Sequence, residues 1–365
     1  MSVVMAGGGT TGHISPMLAT AEALRLIDDT VGISCVGTPV GLETRVVPQA
    51  GWELDLVDPV PLPRSLSLDL ATLPFRIRVA VRQAKAVLRR RQARVVVGFG
   101  GYASLPVFLA ARELHIPVVV HEANAVPGLA NRIAARFAAV VCVTFANTGL
   151  PRQIVTGMPV RRAVSTLDRT AARSAARASL GLDNQARVLL VSGGSQGAKR
   201  LNDAVVDGLE RLDRAGVTVV HVTGSKNFAT TVQLPAVSPG AYLRLPYVDR
   251  MEQGYAAADL MVARSGAATV TETALVGLPT VFVPLPHGNG EQAKNAQGVV
   301  AAGGARLIND AELTGSRLVD EVTGMIFDQA LLDRMSSAAK AVMPADAATV
   351  VARHALAAAR GEGLR

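Results

Sequence analysis

The sequence predicts a doubly wound α/β fold built in two consecutive halves, and three observations carry that prediction. Short β-branched runs alternate with longer, Ala-rich helical stretches, which is the rhythm of a parallel sheet with crossover helices. The rhythm restarts after a Gly/Pro-bearing connection at Thr156 to Pro159. Each half opens in the same way, with a strand, a glycine cluster and a helix. A chain of 365 residues suits two domains of ordinary size, each able to bury its own core.

In the first half, Val3 to Ala6, Ile33 to Val36, Val95 to Val97, Pro117 to Val120 and Val140 to Val143 read as buried strands. In the second, Arg187 to Val191, Val217 to Val222, Asp259 to Val262 and Thr280 to Val283 do so. Helical patterns cover Pro16 to Ile27, Lys199 to Leu212 and the final Ala-rich stretch from Leu331 to Arg360. The expected division is a first domain over 1–157, a second over 158–340, and a terminal helical segment over 341–365 that packs back on the first. Two such sheets facing each other leave a ligand cleft at the carboxyl ends of their strands.

Composition narrows the function. Hydrophobic residues make up 49% and charged residues 18%, far from the low-hydropathy signature of disorder. The two cysteines, Cys35 and Cys142, lie in strand-like runs without zinc-site or disulfide-framework spacing, so a reducing cytosol is expected. Neither a leader segment nor a membrane-spanning run is apparent, and the chain is expected to be neither exported nor transmembrane. A formal charge of +8 favours anionic partners: phosphates, nucleic acid or an acidic membrane face. Aromatic residues at 4% and the lack of a recognisable binding signature argue against nucleic acid.

The first glycine cluster, Gly7-Gly8-Gly9-Thr10-Thr11-Gly12-His13, contains G-x-G-x-x-G between a strand and a helix. Glycines let a phosphate approach the backbone, and the helix start offers free N–H groups. A nicotinamide enzyme would also place an acid at the end of the second strand, where Gly37-Thr38-Pro39 stands instead. Neither cluster carries Gly-Lys-Ser/Thr, so a Walker loop is excluded as well. His13 either caps the turn or projects an imidazole towards a ligand. In the second half, Ser192-Gly193-Gly194-Ser195-Gln196-Gly197 forms a second strand-to-helix corner, either a tight turn or an anion site. The segment Arg264 to Glu272 places a carboxylate shortly after a small-residue turn, suited to a ribose diol, although a solvated helical Glu gives the same pattern. Pro284 to Gln292 is a polar, glycine-bearing loop suited to hydroxyl-rich ligands.

Read together, these residues resemble the MurG family of glycosyltransferases, which add N-acetylglucosamine to the lipid-linked muramyl-pentapeptide precursor of peptidoglycan. The resemblance runs in order through Gly8 to His13, Gly98-Phe99-Gly100-Gly101-Tyr102, His121-Glu122-Ala123-Asn124, Thr156 to Arg161, Gly193 to Gly197, Arg264 to Glu272 and His287 to Asn295. It covers the chain to about residue 310. It implies a GT-B fold, two Rossmann-like domains facing across a cleft, and a UDP-N-acetylglucosamine donor held mainly by the second domain. On that likeness Thr10, Thr11 and Gly12 line the sugar and diphosphate side, and Asn124 meets the sugar. Arg161 and Ser195 meet the diphosphate, and the backbone at Val248 meets uracil. Ala267, Ala268, Thr269, Val270, Thr271 and Glu272 hold the diphosphate and ribose, with Glu272 on the diol, while Glu291 and Gln292 lie at the sugar hydroxyls. Three positions depart from the family's usual residues: Ala123 for Gln, Met158 for Asn and Glu291 for Gln.

The resemblance further implies an inverting displacement, for which His13 is the first candidate base and Glu122 the second; neither a metal nor a cofactor is called for. Its implied partners are the donor, the lipid-linked acceptor, an anionic membrane surface and other cell-wall synthesis proteins, at the cytoplasmic face of the membrane. Nine basic residues (Arg64, Arg76, Arg78, Arg82, Lys85, Arg89, Arg90, Arg91 and Arg94) against one acid, Asp69, form a basic stretch. In a helix, Arg78, Arg82, Lys85 and Arg89 share one face, and Ile77, Val81, Ala84 and Leu88 another. That face is either ordinary solvated surface or a dock for anionic lipid. Two other readings stay open: a transferase of the same architecture acting on another glycolipid or natural product, and an inactive sugar-nucleotide-binding scaffold.

Overall fold

The computed structural model describes residues 1–60, 69–194, 197–229, 234–286 and 289–362. Arg64, Ser195, Gln196, His287 and Gly288, named above, lie outside the described residues. The chain divides into two compact units, one formed by Met1–Arg161 with Asp346–Arg365 and the other by Arg162–Ala345.

The first unit holds a seven-stranded sheet of β1 (Ser2–Ala6), β2 (Gly32–Gly37), β3 (Glu53–Leu56), β4 (Val95–Gly98), β5 (Val118–Glu122), β6 (Val140–Val143) and β7 (Gln153–Val155). Its spatial order is β3-β2-β1-β4-β5-β6-β7, and every described pairing is parallel. Alternate residues feed opposite faces, as the two-residue period of a strand requires. Val3, Met5, Val95 and Val97 pack under the helices Thr11–Ile27 and Ala347–Arg360. Val4, Ala6 and Val96 pack under the helices Asp69–Arg90 and Ser104–Glu113.

The second unit repeats the design with β8 (Arg187–Ser192), β9 (Val217–Val222), β10 (Tyr242–Leu245), β11 (Leu260–Ala263), β12 (Thr280–Phe282) and β13 (Ala305–Leu307) in the order β10-β9-β8-β11-β12-β13. Its polar anchor is Asp259. Asp259 accepts from Val188 N–H at 2.7 Å and from Arg177 at 3.0 Å through Oδ2, and from Arg173 at 2.5 Å through Oδ1. The Arg177 side chain is fully buried and also donates to the carbonyls of Ala257 and Asn184.

In both sheets the order reverses direction beside the first strand, between β1 and β4 and between β8 and β11. Such a switch point parts the loops at the carboxyl ends of the strands and leaves room for a ligand. Two expectations need correction. The first helix begins at Thr11 rather than Pro16, with the proline in its second turn. The single helix expected from Leu331 to Arg360 is two, Gln329–Lys340 in the second unit and Ala347–Arg360 in the first, separated by a segment containing Pro344.

Candidate functional site

At the switch point of the first unit, β1 ends in the glycine cluster and the next helix starts at Thr11 behind an extended Thr10. No side chain caps that helix start and no acid sits in its first turn, so its N–H groups and positive dipole end stay available to an anion. His13 is half-buried on the first turn. Its Nδ1 lies 3.1 Å from the Gly8 carbonyl and 3.3 Å from Thr10 Oγ1. A carbonyl can only accept, so Nδ1 carries the proton and Nε2 keeps the lone pair. Burial pulls the His13 pKa below the ordinary histidine value, against the Gly8 bond and the Glu43 charge, which raise it. Gly100, with φ +93°, passes beside this ring; a Cβ there would sit 3.2 Å from His13 Nε2.

Glu122 closes β5 under the same loops. Its Oε1 accepts from Asn124 N–H at 2.9 Å, and its Oε2 from Gly128 N–H at 3.0 Å and Asn131 Nδ2 at 2.8 Å. Burial raises its pKa, while those bonds pull the other way. Both oxygens are therefore taken up in shaping the loop that carries Asn124. His121, one residue earlier, is buried against Phe99 and donates from Nε2 to the Gly157 carbonyl at 3.0 Å. Thr10, Thr11, Gly12, His13, Glu122 and Asn124 thus gather at the carboxyl ends of β1, β4 and β5. Arg161 is exposed at the last residue of this unit. Ala123 and Met158 are buried and offer no polar group.

In the second unit three helix starts follow β8, β11 and β12: Lys199, Ala267 and Glu291, none capped by a side chain. The loops behind the last two are tied together. Arg264 donates to the carbonyls of Val283 and Pro284, each at 3.1 Å, and pairs with Asp310 at 2.6 Å. Asn295 Nδ2 reaches the Ser265 carbonyl, and Gln292 Oε1 accepts from Leu285 N–H at 3.0 Å. Glu291 accepts from Asn289 N–H. Ala267 to Glu272 form the first turn and a half of their helix, and Glu272 is held by the buried Tyr255 hydroxyl at 2.6 Å. Val248 lies in the connection after β10. Four residues that shape these sites were not singled out from sequence: Glu43, Asn131, Tyr255 and Asp310. Each lies outside the glycine-bearing motifs, and no local pattern marks it.

Similarities to known proteins run across the whole chain. A protein of Cutibacterium acnes named UDP-N-acetylglucosamine--N-acetylmuramyl-(pentapeptide) pyrophosphoryl-undecaprenol N-acetylglucosamine transferase is 53% identical, covering 98% of each chain. One of Nocardioides with the same name is 51% identical over all of both chains. The crystal structure of Acinetobacter baumannii MurG superposes with a TM-score of 0.77 at 31% identity, covering 97% of this chain and 99% of that one. The chain belongs to the MurG family. Its two units match the glycosyltransferase family 28 N-terminal domain over residues 3–143 and the C-terminal domain over 188–351. The calicheamicin glycosyltransferase CalG4, 18% identical with a TM-score of 0.66, shares the GT-B fold. As a MurG-family chain it is a hexosyltransferase, and the two remaining readings, another acceptor class and an inactive scaffold, are not favoured.

Proposed function

We propose that the chain moves N-acetylglucosamine from UDP-N-acetylglucosamine to the muramyl-pentapeptide carried on pyrophosphoryl-undecaprenol, converting lipid I to lipid II in peptidoglycan synthesis. The observation that carries this reading is identity of about half, end to end, to relatives bearing that activity in their names. The acceptor hydroxyl attacks the anomeric carbon, the bond from that carbon to UDP breaks with inversion, and His13 Nε2 takes the hydroxyl proton. A neutral imidazole at pH 7, favoured by burial, is the form that can accept it. Glu122 is the weaker candidate because its oxygens already serve three N–H donors.

The charge that grows on the leaving diphosphate would be met by uncapped helix starts and by Arg161. Glu272 is proposed for the ribose diol, Ala267 to Thr271 for the phosphates, and the Val248 backbone for uracil. Ser195 completes that proposal from sequence alone. Thr10 to Gly12, Asn124, Glu291 and Gln292 are proposed at the sugar.

Membrane docking at the cytoplasmic face is the remaining part of the proposal. Among the described residues, no helix is long and apolar enough to cross a bilayer. Part of the basic stretch is spent inside the fold: Arg90 and Arg91 hold Asp55 of β3, and Lys85 pairs with Glu113. Arg78, Arg82 and Arg89 stay exposed on the Asp69–Arg90 helix, which also carries Phe75 at 71% exposure one turn before Arg78, while Val81, Ala84 and Leu88 are buried. Exposed cations beside an exposed aromatic suit an anionic lipid surface. Flotation with acidic vesicles that fades as salt rises is expected; none even at low salt would rule docking out.

The deciding experiment is transfer of radiolabelled N-acetylglucosamine from its UDP donor to a short-chain lipid I analogue, with UDP-glucose and acceptor-free controls. Acceptor-dependent β-1,4 product is expected. Donor binding without transfer to this acceptor would overturn the assignment.

A further inference from the structure

Glu43 opens the short helix Glu43–Gln49 after β2, and its carboxylate is buried, at 0% exposure, with no Lys or Arg paired to it among the described residues. Only dipoles solvate it. Gly9 N–H donates to Oε2 at 2.8 Å, and Thr38 N–H and Thr38 Oγ1–H donate to Oε1, each at 2.8 Å. A buried charge without a counter-ion is costly, and an apolar side chain would fill the same space at less expense. Yet three separate glycines leave room for it: a Cβ on Gly8, Gly37 or Gly41 would come within 2.4 Å of the Glu43 side chain. Burial raises the Glu43 pKa, but the bonds from Gly9, from Thr38 and from its own backbone N–H together outweigh it and hold the carboxyl below its usual range. The group is ionised at neutral pH.

The Gly9 N–H that Glu43 accepts belongs to the same peptide unit as the Gly8 carbonyl, and that carbonyl takes the His13 Nδ1 proton at 3.1 Å. Carboxylate, peptide and imidazole therefore form one hydrogen-bonded line. An anion at the N–H end of a peptide pushes electron density onto its oxygen and strengthens that oxygen as an acceptor. We propose that Glu43 is a positioning residue for the transfer reaction, holding His13 through the Gly8–Gly9 peptide in the tautomer that leaves Nε2 free. This rests on reading His13 as the base.

The other groups around the ring do not replace this role. Asn131 Nδ2 is already bound to the His121 carbonyl and to Glu122 Oε2. Thr10 Oγ1 shares Nδ1 at 3.3 Å. The Ala347–Arg360 helix meets the His13 helix with apolar side chains, among them Val351, Ala352 and Ala355. Among the described residues, the charge that acts on the His13 ring is that of Glu43 from its short helix.

The test uses the full chain with Glu43→Gln, Thr38→Val and His13→Ala, read by steady-state transfer and by ¹⁵N NMR of the labelled histidine ring. Glu43→Gln should lower kcat about tenfold, with KM for donor and acceptor little changed, and should bring in the Nε2–H tautomer of His13. Thr38→Val, which removes one of the Glu43 donors, should move both readouts the same way by less. A kcat and an Nδ1–H tautomer unchanged in Glu43→Gln would overturn the proposal, as would a change in KM alone. Should His13→Ala keep its turnover, the base reading fails instead, and the tautomer measurement still decides whether Glu43 sets the ring.

Discussion

Replacing Glu122 with Gln separates two roles that a buried carboxylate in this loop can have. In the structure one oxygen accepts from Asn124 N–H and the other from Gly128 N–H and Asn131 Nδ2. A carboxamide has one accepting oxygen. Placed at the Oε2 position it keeps two bonds in neutral form, and its new NH₂ faces the Asn124 N–H, donor against donor. Losing one bond to a charged acceptor costs about 1.5–3 kcal/mol, and weakening the other two adds to it. Relief of the buried charge, the same burial that raises the Glu122 pKa, offsets part of the loss. A net destabilisation of about 2–3 kcal/mol follows, which for a unit of this size lowers its melting temperature by roughly 4–12 °C. Calorimetry of E122Q should show that fall, and the transfer assay below the melting range should show kcat within about tenfold of wild type and an unchanged pH profile. A base would behave in the opposite way, losing roughly 10²–10⁴-fold in turnover with little change in melting. That second pattern would refute the argument from occupied oxygens.

Three further outcomes are expected. Asp259→Asn disturbs the partner of the fully buried Arg177 and should cost the second unit roughly 3 kcal/mol, seen as an earlier calorimetric transition; wild-type melting would show that Arg177 is satisfied by the Ala257 and Asn184 carbonyls alone. Glu272→Ala should raise KM for the donor about 10–100-fold with a smaller effect on kcat, the value of charge-assisted bonds to a diol, and Tyr255→Phe should do the same more weakly; an unchanged donor KM would remove Glu272 from the ribose. Burial lowers the pKa of His121 and of His221 to about 4, so below about pH 6.5 the unfolded chain binds protons that the folded one refuses. That stability is complete above pH 6.5 and lost as pH falls towards 4. Denaturant titrations should find each unit weaker by about 2 kcal/mol at pH 5 than at pH 7, and equal stability at both would contradict the burial.

The nine strands legible in the sequence are the interior strands of the two sheets, where both faces are covered and the chain reads as an unbroken β-branched run. The four that were not, β3, β7, β10 and β13, are the four sheet edges. Glu53-Leu54-Asp55-Leu56 shows why: three of its four residues face water or the Arg90 and Arg91 side chains, so its hydrophobic signal is diluted. The site divides in the same manner. Glycine corners and His13 are local features, visible because a tight turn and a helix start leave a short motif. Glu43 acts on Gly9 from 34 positions away, and Tyr255 on Glu272 from the preceding helix. Such partners meet only when the sheet is assembled, and no window along the chain contains both.

The return of the Ala347–Arg360 helix to the first unit has a consequence for how the chain is made. The second unit is one continuous stretch, Arg162–Ala345, and can close its core as soon as that stretch is available. The first unit is assembled from both ends. Until the last helix is synthesised, Ile14, Met17 and Leu24 lack the cover that Val351, Ala352, Ala355 and Leu356 provide. The half that is translated first is therefore the half that finishes folding last, with a strip of bare apolar surface in the interval. A truncation near residue 346, at the carboxyl terminus, is in physical terms a lesion of the amino-terminal unit, beneath the helix that bears His13.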